Sequence, residues 1–261
     1  MATFLEIGKP YTEYKSAKFV VVPVPYEQTV SYGKGTSKGP DAILKASAFV
    51  EDYDIEQDSE PYRAGIHVAR PIKAVKAIKS RVEEILNDKK VPVLLGGEHS
   101  ITPFAVAACR EKYGNLSVLQ FDAHADLKDK YRGSKLSHAC VMRRILEICP
   151  AVQVGIRSMN MSEARFARES GQISKIHLAE KLELAETVVS QLSKNVYLTF
   201  DVDALDPGIM PSTGTPEPGG LDYYSVLDVF KAVAREKNIV GFDFVELAPI
   251  KGLHHPDFTT A

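Results

Sequence analysis

The chain has 261 residues, 44% of them hydrophobic and 25% charged. That balance excludes wholesale disorder and allows a core that stands without disulfide or zinc staples. With 32 Lys and Arg against 34 Asp and Glu, the formal net charge is −2, so charge makes no case for a nucleic-acid or anionic-membrane partner.

Cys109, Cys140 and Cys149 cannot all pair within the chain and form no CxxC. No apolar run approaches the ~18 residues of a membrane span, and residues 1–18 hold no signal-peptide core. The expectation is a cytoplasmic protein with reduced, packed thiols. No linker, repeat or low-complexity tract divides it, so residues 1–261 are expected to form a single domain.

In chain order, FVVVPV at Phe19–Val24 predicts a strand, followed by a glycine-rich loop from Ser31 to Pro40. Ile72, Val75, Ile78, Val82, Ile85 and Leu86 fall on one helical face and predict a helix over 72–88. Further strands are predicted over 91–95, 116–121, 151–154, 196–200 and 239–244, and helices over 139–148, 182–192 and 221–236. Several of these strands are almost wholly apolar, as when helices cover both faces of a parallel sheet. The alternation predicts an α/β fold, an open three-layer α/β/α sandwich around a mostly parallel central sheet. In such sheets ligands bind beyond the carboxyl ends of the strands.

Chemistry-bearing residues crowd those ends. VPVLL runs into Glu98 and His99, LSVLQF into Asp122, His124 and Asp126, VYLTF into Asp201, Asp203 and Asp206, and IVGFDF into Glu246. In an extended segment, positions i, i+2 and i+4 share a face, so each acidic set is expected to project together. On neighbouring strands, Asp122, Asp126, Asp201 and Asp203 would meet with His99 and His124. Four crowded carboxylates repel and are costly to desolvate. Two divalent cations would balance them, and hard oxygen with imidazole and no thiolate favours Mn²⁺ over structural Zn²⁺. A lone DxD or HxD is commonly a turn; both together after apolar runs, with a third histidine in a Gly-Gly turn, point to metal. Asp206 before Pro207 reads as a turn residue, and Glu98 as a ligand or an organiser of its own turn. His67 and His177 read as structural or exposed, and His254-His255 as loop residues. His138 either caps a helix or reaches the pocket as a proton carrier.

GGEHS, FDAHADL, FDVDALDP, TGTPEPGG and FVELAP, in this order, resemble the ureohydrolase family of arginases and agmatinases. The likeness extends to VPVPYEQTVSYGKGTSKGPDAI and VGIRS and so covers nearly the whole chain. Lys128 and Ser137-His138-Ala139 stand where arginases usually have an Asn and a Gly-Asn-x-His-Gly stretch, and the segment is most similar to agmatinases. The resemblance implies the arginase-like fold and two Mn²⁺ per subunit. One would be held by His99, Asp122, Asp126 and Asp201, the other by Asp122, His124, Asp201 and Asp203. It also implies Glu246 as the anchor of the substrate guanidinium, Thr215 as a supporting residue, His138 as a proton shuttle, and a homotrimer or homohexamer. Glu98 departs from the Asp of many members.

A guanidinium is a poor electrophile, and two metals roughly 3.5 Å apart can share a water and make hydroxide available near pH 7. Glu246 would hold the guanidinium, and Asp126 would carry the proton to the leaving nitrogen. The expected reaction is hydrolysis of agmatine to urea and putrescine, with guanidinobutyrase, arginase and formiminoglutamase activities as alternatives. Remoter readings are a dinuclear phosphoesterase, with Arg157 the nearest candidate phosphate cation, or a metal-binding protein without turnover.

Overall fold

The computed structural model describes residues 3–181 and 185–261. Eight strands, β1 Phe19–Val24, β2 Ile66–Val68, β3 Val91–Gly96, β4 Leu116–Phe121, β5 Ala151–Ile156, β6 Ile176–Leu178, β7 Asn195–Asp201 and β8 Asn238–Val245, form one sheet. Their order is β2-β1-β3-β8-β7-β4-β5-β6, and every described pairing is parallel. The helices are α1 Gly39–Ser47, α2 Ile78–Asn87, α3 Thr102–Tyr113, α4 Val141–Leu146, α5 Met161–Glu169, α6 Ala185–Ser190, α7 Tyr223–Glu236 and α8 His255–Thr260.

Alternation along the strands divides the apolar residues between two cores. Val20, Val22 and Val24 pack with α2, α3, α4 and α5 on one side of the sheet. Val21, Val93 and Leu95 pack with α1, α6 and α7 on the other. The expected three-layer sandwich follows. Every residue of β4 and β5 is buried, which is why their sequences read as apolar runs. The three cysteines are free and buried, and no helix among the described residues is long and apolar enough to cross a membrane.

Several elements differ from expectation for identifiable reasons. The helix expected from residue 72 starts at Ile78, because the chain ahead runs along β1: Ala69 N–H bonds Val21 O and Ile72 N–H bonds Pro23 O, both at 2.8–2.9 Å. Ile72 is buried there without being helical. The helix expected over 139–148 is a 3₁₀ turn at His138–Cys140 followed by the short α4. Of the helix expected over 182–192, residues 182–184 lie outside the described residues. The helix expected from 221 begins at Tyr223, where the Asp222 carboxylate caps it by accepting from Ser225 N–H at 2.9 Å. Edge strands β2 and β6 are only three residues long, too short to show a period.

Candidate metal centre and substrate pocket

The motifs end four consecutive strands in the middle of the sheet, β3, β8, β7 and β4, which deliver His99, Glu246, Asp201 and Asp122. Parallel pairing makes this convergence possible, since all four carboxyl ends lie at one edge. After β3 the chain folds against the residues that follow β1: a Cβ on Gly97 would overlap the Tyr26 carbonyl, and Glu98 N–H bonds that carbonyl at 2.8 Å.

The expectation that each acidic set lies on an extended segment is corrected here. Asp201 caps a 3₁₀ turn over Val202–Ala204, accepting Asp203 N–H at 3.0 Å, so these carboxylates meet through a turn. After Asp122 the chain leaves regular strand, and Asp126 adopts a left-handed φ of 53°. Its carbonyl is thereby available to accept Met142 and Arg143 N–H at the start of α4.

The side chains nevertheless converge. His99 Nδ1 lies 3.2 Å from Asp122 Oδ2, 3.4 Å from Asp126 Oδ2 and 3.5 Å from Asp201 Oδ2. His124 Nδ1 lies 3.0 Å from Asp203 Oδ2 and 3.6 Å from Asp122 Oδ1. Two groups able to hold a cation result, His99–Asp122–Asp126 and Asp122–His124–Asp203, sharing Asp122. All four aspartates and His99 are buried.

Surrounding bonds fix these groups. Gln120 Nε2 donates to Asp122 Oδ2, Gln153 Nε2 to Gln120 Oε1, and Gln172 Nε2 to Gln153 Oε1, at 2.6, 2.6 and 3.2 Å. This buried amide chain crosses from β5 to β4 and aims the carboxylate shared by both groups. On the other side, His99 Nε2 meets Thr199 Oγ1 at 2.9 Å. Thr199 donates to Asp243, which also accepts Tyr197 O–H at 2.8 Å. Because Thr199 O–H points to Asp243, its oxygen can accept from His99 Nε2–H, which turns Nδ1 toward the three carboxylates. His99 Nδ1 is a buried atom without a hydrogen-bond partner. In the metal-free chain burial pulls His99 downward, but these carboxylates outweigh it, hold a proton on the ring and raise it well above the usual imidazole range. With that proton gone, Nδ1 and the carboxylate oxygens face one point, a donor set that fits a divalent metal.

Electrostatics agree. Burial, reinforced by Asp122, raises Asp126 to about 7. Burial with Asp203 and Asp122 holds Asp201 well above the carboxylate range, and burial raises Glu246 to about 8. For His124, burial pulls downward, but bonds to Asp122 and Asp203 outweigh it and push the imidazole to about 12. Without a cation, the cluster holds extra protons.

The pocket above the cluster is lined by His99, His124, Asp126, Asp201, Asp203, Glu246, Thr215 and His138, with Lys128, Tyr131 and Tyr32 farther out. Glu246 has a left-handed φ of 65°, and its Oε1 accepts His99 N–H at 2.7 Å. The ring of His138 caps nothing: Nε2 meets Ser31 Oγ at 2.9 Å and Nδ1 meets Thr29 Oγ1 at 3.1 Å, while burial lowers its pKa to about 4. Glu98 organises the turn, accepting Gln28 and Thr29 amides and the Thr29 hydroxyl at 2.5–2.8 Å. Lys128 Nζ is engaged with the buried Glu163 at 3.1 Å.

Asp206 shapes its turn as expected, accepting Gly208 and Gly220 N–H. His67 and His177 have partners, Thr12 O and Gln191 Oε1. Arg157 spends its guanidinium on carbonyls of Gly155, Asp203, Ala204, Leu205, Glu217 and Pro218. It is therefore committed to stitching loops and cannot serve a phosphoryl group. Sequence reasoning missed Gln120, Gln153, Thr199 and Asp243. Their signal was a polar letter inside an otherwise apolar strand, which burial makes costly unless it is paired.

The model of the Arginase family matches residues 17–259, and the chain belongs to that family. It is a ureohydrolase, a hydrolase acting on amidino C–N bonds. It is 43% identical to the N(1)-aminopropylagmatine ureohydrolase of Thermus thermophilus, over 98% of this chain and 91% of that one. To the agmatinase of Pyrococcus horikoshii it is 36% identical, over 92% and 87% of the two chains. The crystal structure of the agmatine ureohydrolase of Thermoplasma volcanium superposes with a TM-score of 0.86 at 28% identity, covering 100% of this chain and 90% of that one.

Proposed function

We propose that this ureohydrolase carries two divalent metals, Mn²⁺ by preference, and acts on linear guanidino amines. The substrates are agmatine and its N1-aminopropyl derivative, giving urea with putrescine or spermidine. The agmatine reading comes from the loop between Lys128 and Ser137; the 43% identity to an aminopropylagmatine enzyme favours the longer substrate. The carrying observation is the pocket's charge. Its floor is acidic, and Lys128, the one lysine or arginine lining it among the described residues, is paired with Glu163. A substrate α-carboxylate would therefore meet no free cation, whereas an ammonium is not repelled.

His99, Asp122, Asp126 and Asp201 would hold one metal, and Asp122, His124, Asp201 and Asp203 the other. When bound, the pair supplies Lewis acidity that makes water nucleophilic near neutral pH. Glu246, already fixed through the His99 amide, receives the guanidinium and faces its carbon to the water. Thr215 supports the substrate from the adjacent loop. Asp126 takes the proton of the attacking water and passes it to the leaving nitrogen, so that urea and the free amine separate. His138, neutral at pH 7, relays a proton toward solvent through Ser31, whose hydroxyl donates to Tyr131 at 3.1 Å. The family likeness supports a cytoplasmic homotrimer or homohexamer, which light scattering on the purified protein tests.

The deciding experiment is urea release from agmatine, N1-aminopropylagmatine, arginine, 4-guanidinobutyrate and formiminoglutamate with added Mn²⁺. Arginine or an acid-bearing guanidine as the best substrate would refute the reading of the pocket's charge.

A further inference from the structure

The pocket has a depth scale written in exposure. His99, Asp201, Asp126 and Glu246 at its floor are 0–8% exposed, whereas Tyr32 at its rim is 85% exposed. A linear substrate whose guanidinium sits at Glu246 must bring its remote end out to that rim.

Tyr32 is presented there by a loop tied down on every side. Glu98 holds the amides of Gln28 and Thr29, and Glu27 accepts Gly35 and Ser37 N–H at 3.1 and 3.0 Å. Arg132 donates to the carbonyls of Val30 and Ser31. Gly33 N–H donates to Gly214 O at 3.0 Å, and a Cβ on Gly33 would sit 2.9 Å from both Cα and O of Gly214. The approach of these two loops thus requires glycine beside Tyr32.

The tyrosine itself has no hydrogen-bond, ion-pair or ring partner among the described residues. Neighbouring Tyr131 is committed: its hydroxyl meets Ser31, and its ring lies 5.7 Å from Lys128 Nζ and 5.2 Å from Arg132 Cζ. A bare aromatic face held in water at a pocket rim is suited to receive a ligand cation. The Glu217 carboxylate lies 3.5 Å from Nε2 of His124, which lines the same pocket.

We propose that Tyr32 is a specificity-determining residue that receives the terminal ammonium of a guanidino polyamine longer than agmatine. The proposal rests on the guanidino-amine reading of the pocket. Extending agmatine by an aminopropyl unit adds roughly 5 Å of chain and a second ammonium. That ammonium must either stay in water or meet a group at the rim, and Tyr32 is the unpartnered ring there.

Urea release from agmatine and N1-aminopropylagmatine by Mn²⁺-loaded wild type, Tyr32→Phe, Tyr32→Leu and Tyr32→Ala tests this. In the Ala and Leu variants the ratio of kcat/KM for the longer substrate to that for agmatine should fall about three- to fivefold, through KM of the longer one. Phe should retain the ratio, because the ring face is what binds. Competitive inhibition by spermidine should weaken by a similar factor relative to inhibition by putrescine. Equal losses on both substrates, an unchanged ratio, or a Leu variant that keeps the ratio would overturn the ring-face contact. No urea from either substrate with wild type would overturn the underlying reading, and this proposal with it.

Discussion

Glu246→Gln separates the charge of this residue from its shape. Burial raises the carboxyl from 4.5 to about 8, so the metal-free folded chain holds its proton across a range in which the unfolded chain has released it. A carboxyl raised in this way contributes stability that is complete below the unfolded pKa and lost as pH climbs through the folded one. Between pH 5 and pH 7, inside that window, the slope of about 1.4 kcal/mol per pH unit gives a loss of roughly 2–3 kcal/mol from this group. Glutamine keeps an oxygen for His99 N–H, which Glu246 Oε1 accepts at 2.7 Å, but has no proton to lose.

Chelator-treated wild type should therefore fall against Glu246→Gln by about 2–3 kcal/mol from pH 5 to pH 7, or ~5–10 °C in relative melting temperature. Urea denaturation and thermal melts at both pH values measure this as a double difference, which also carries the response of Asp201, a carboxyl that Glu246 helps to raise. Parallel pH dependences would show that burial does not hold the Glu246 proton. Added Mn²⁺ should close the gap, because adjacent cations favour the ionised carboxylate. In the loaded enzyme the same variant should lower kcat/KM at least about a hundredfold, from loss of a charged hydrogen bond to the guanidinium.

Metal analysis of Mn²⁺-loaded protein should approach two ions per chain, and full activity at one would contradict a shared Asp122. Gln120→Leu, which frees Asp122 Oδ2 from its 2.6 Å donor, should weaken metal affinity about 10–100-fold by competition with a chelating dye. His138→Ala should slow turnover with metal content unchanged and recover in part with imidazole; loss of metal would make it a ligand. For wild type, kcat/KM for agmatine should exceed that for arginine at least about a hundredfold, or ~2.7 kcal/mol, the cost of an unpaired carboxylate beside an acidic floor.

The central strands were legible because burial on both faces leaves an unmistakable apolar run, as in β4 and β7, and acids immediately after such runs are out of character. What sequence hid was the local path of the chain. Asp201 and Asp203 look like alternate positions of a strand, yet a 3₁₀ turn brings them together, because the Asp201 carboxylate satisfies the Asp203 amide. Helix α3 went unread because its buried residues include Thr102, Ala105, Val106, Ala108 and Cys109, spread too widely around the helix to show a stripe. Helix α5 carries a capping box of Asn160 and Glu163 that could have announced it. Glu163 serves Lys128 as well, a tertiary pairing no local pattern encodes.

The site runs against the stability of the fold that carries it. Asp126 and Glu246, both non-glycine, occupy left-handed backbone, at about 1–3 kcal/mol each, and both are buried acids. Five carboxyls, Asp122, Asp126, Asp201, Asp203 and Glu246, face two imidazoles, His99 and His124. Even with both rings protonated the charge would be −5 + 2 = −3 if every acid were ionised, which a structural ion-pair network would not leave. The metal-free chain escapes by keeping protons, as the raised Asp126, Asp201 and Glu246 show. Two divalent cations would remove the excess without them, so metal capture and proton release become one event. That exchange explains why the gap between wild type and Glu246→Gln should close when Mn²⁺ is added.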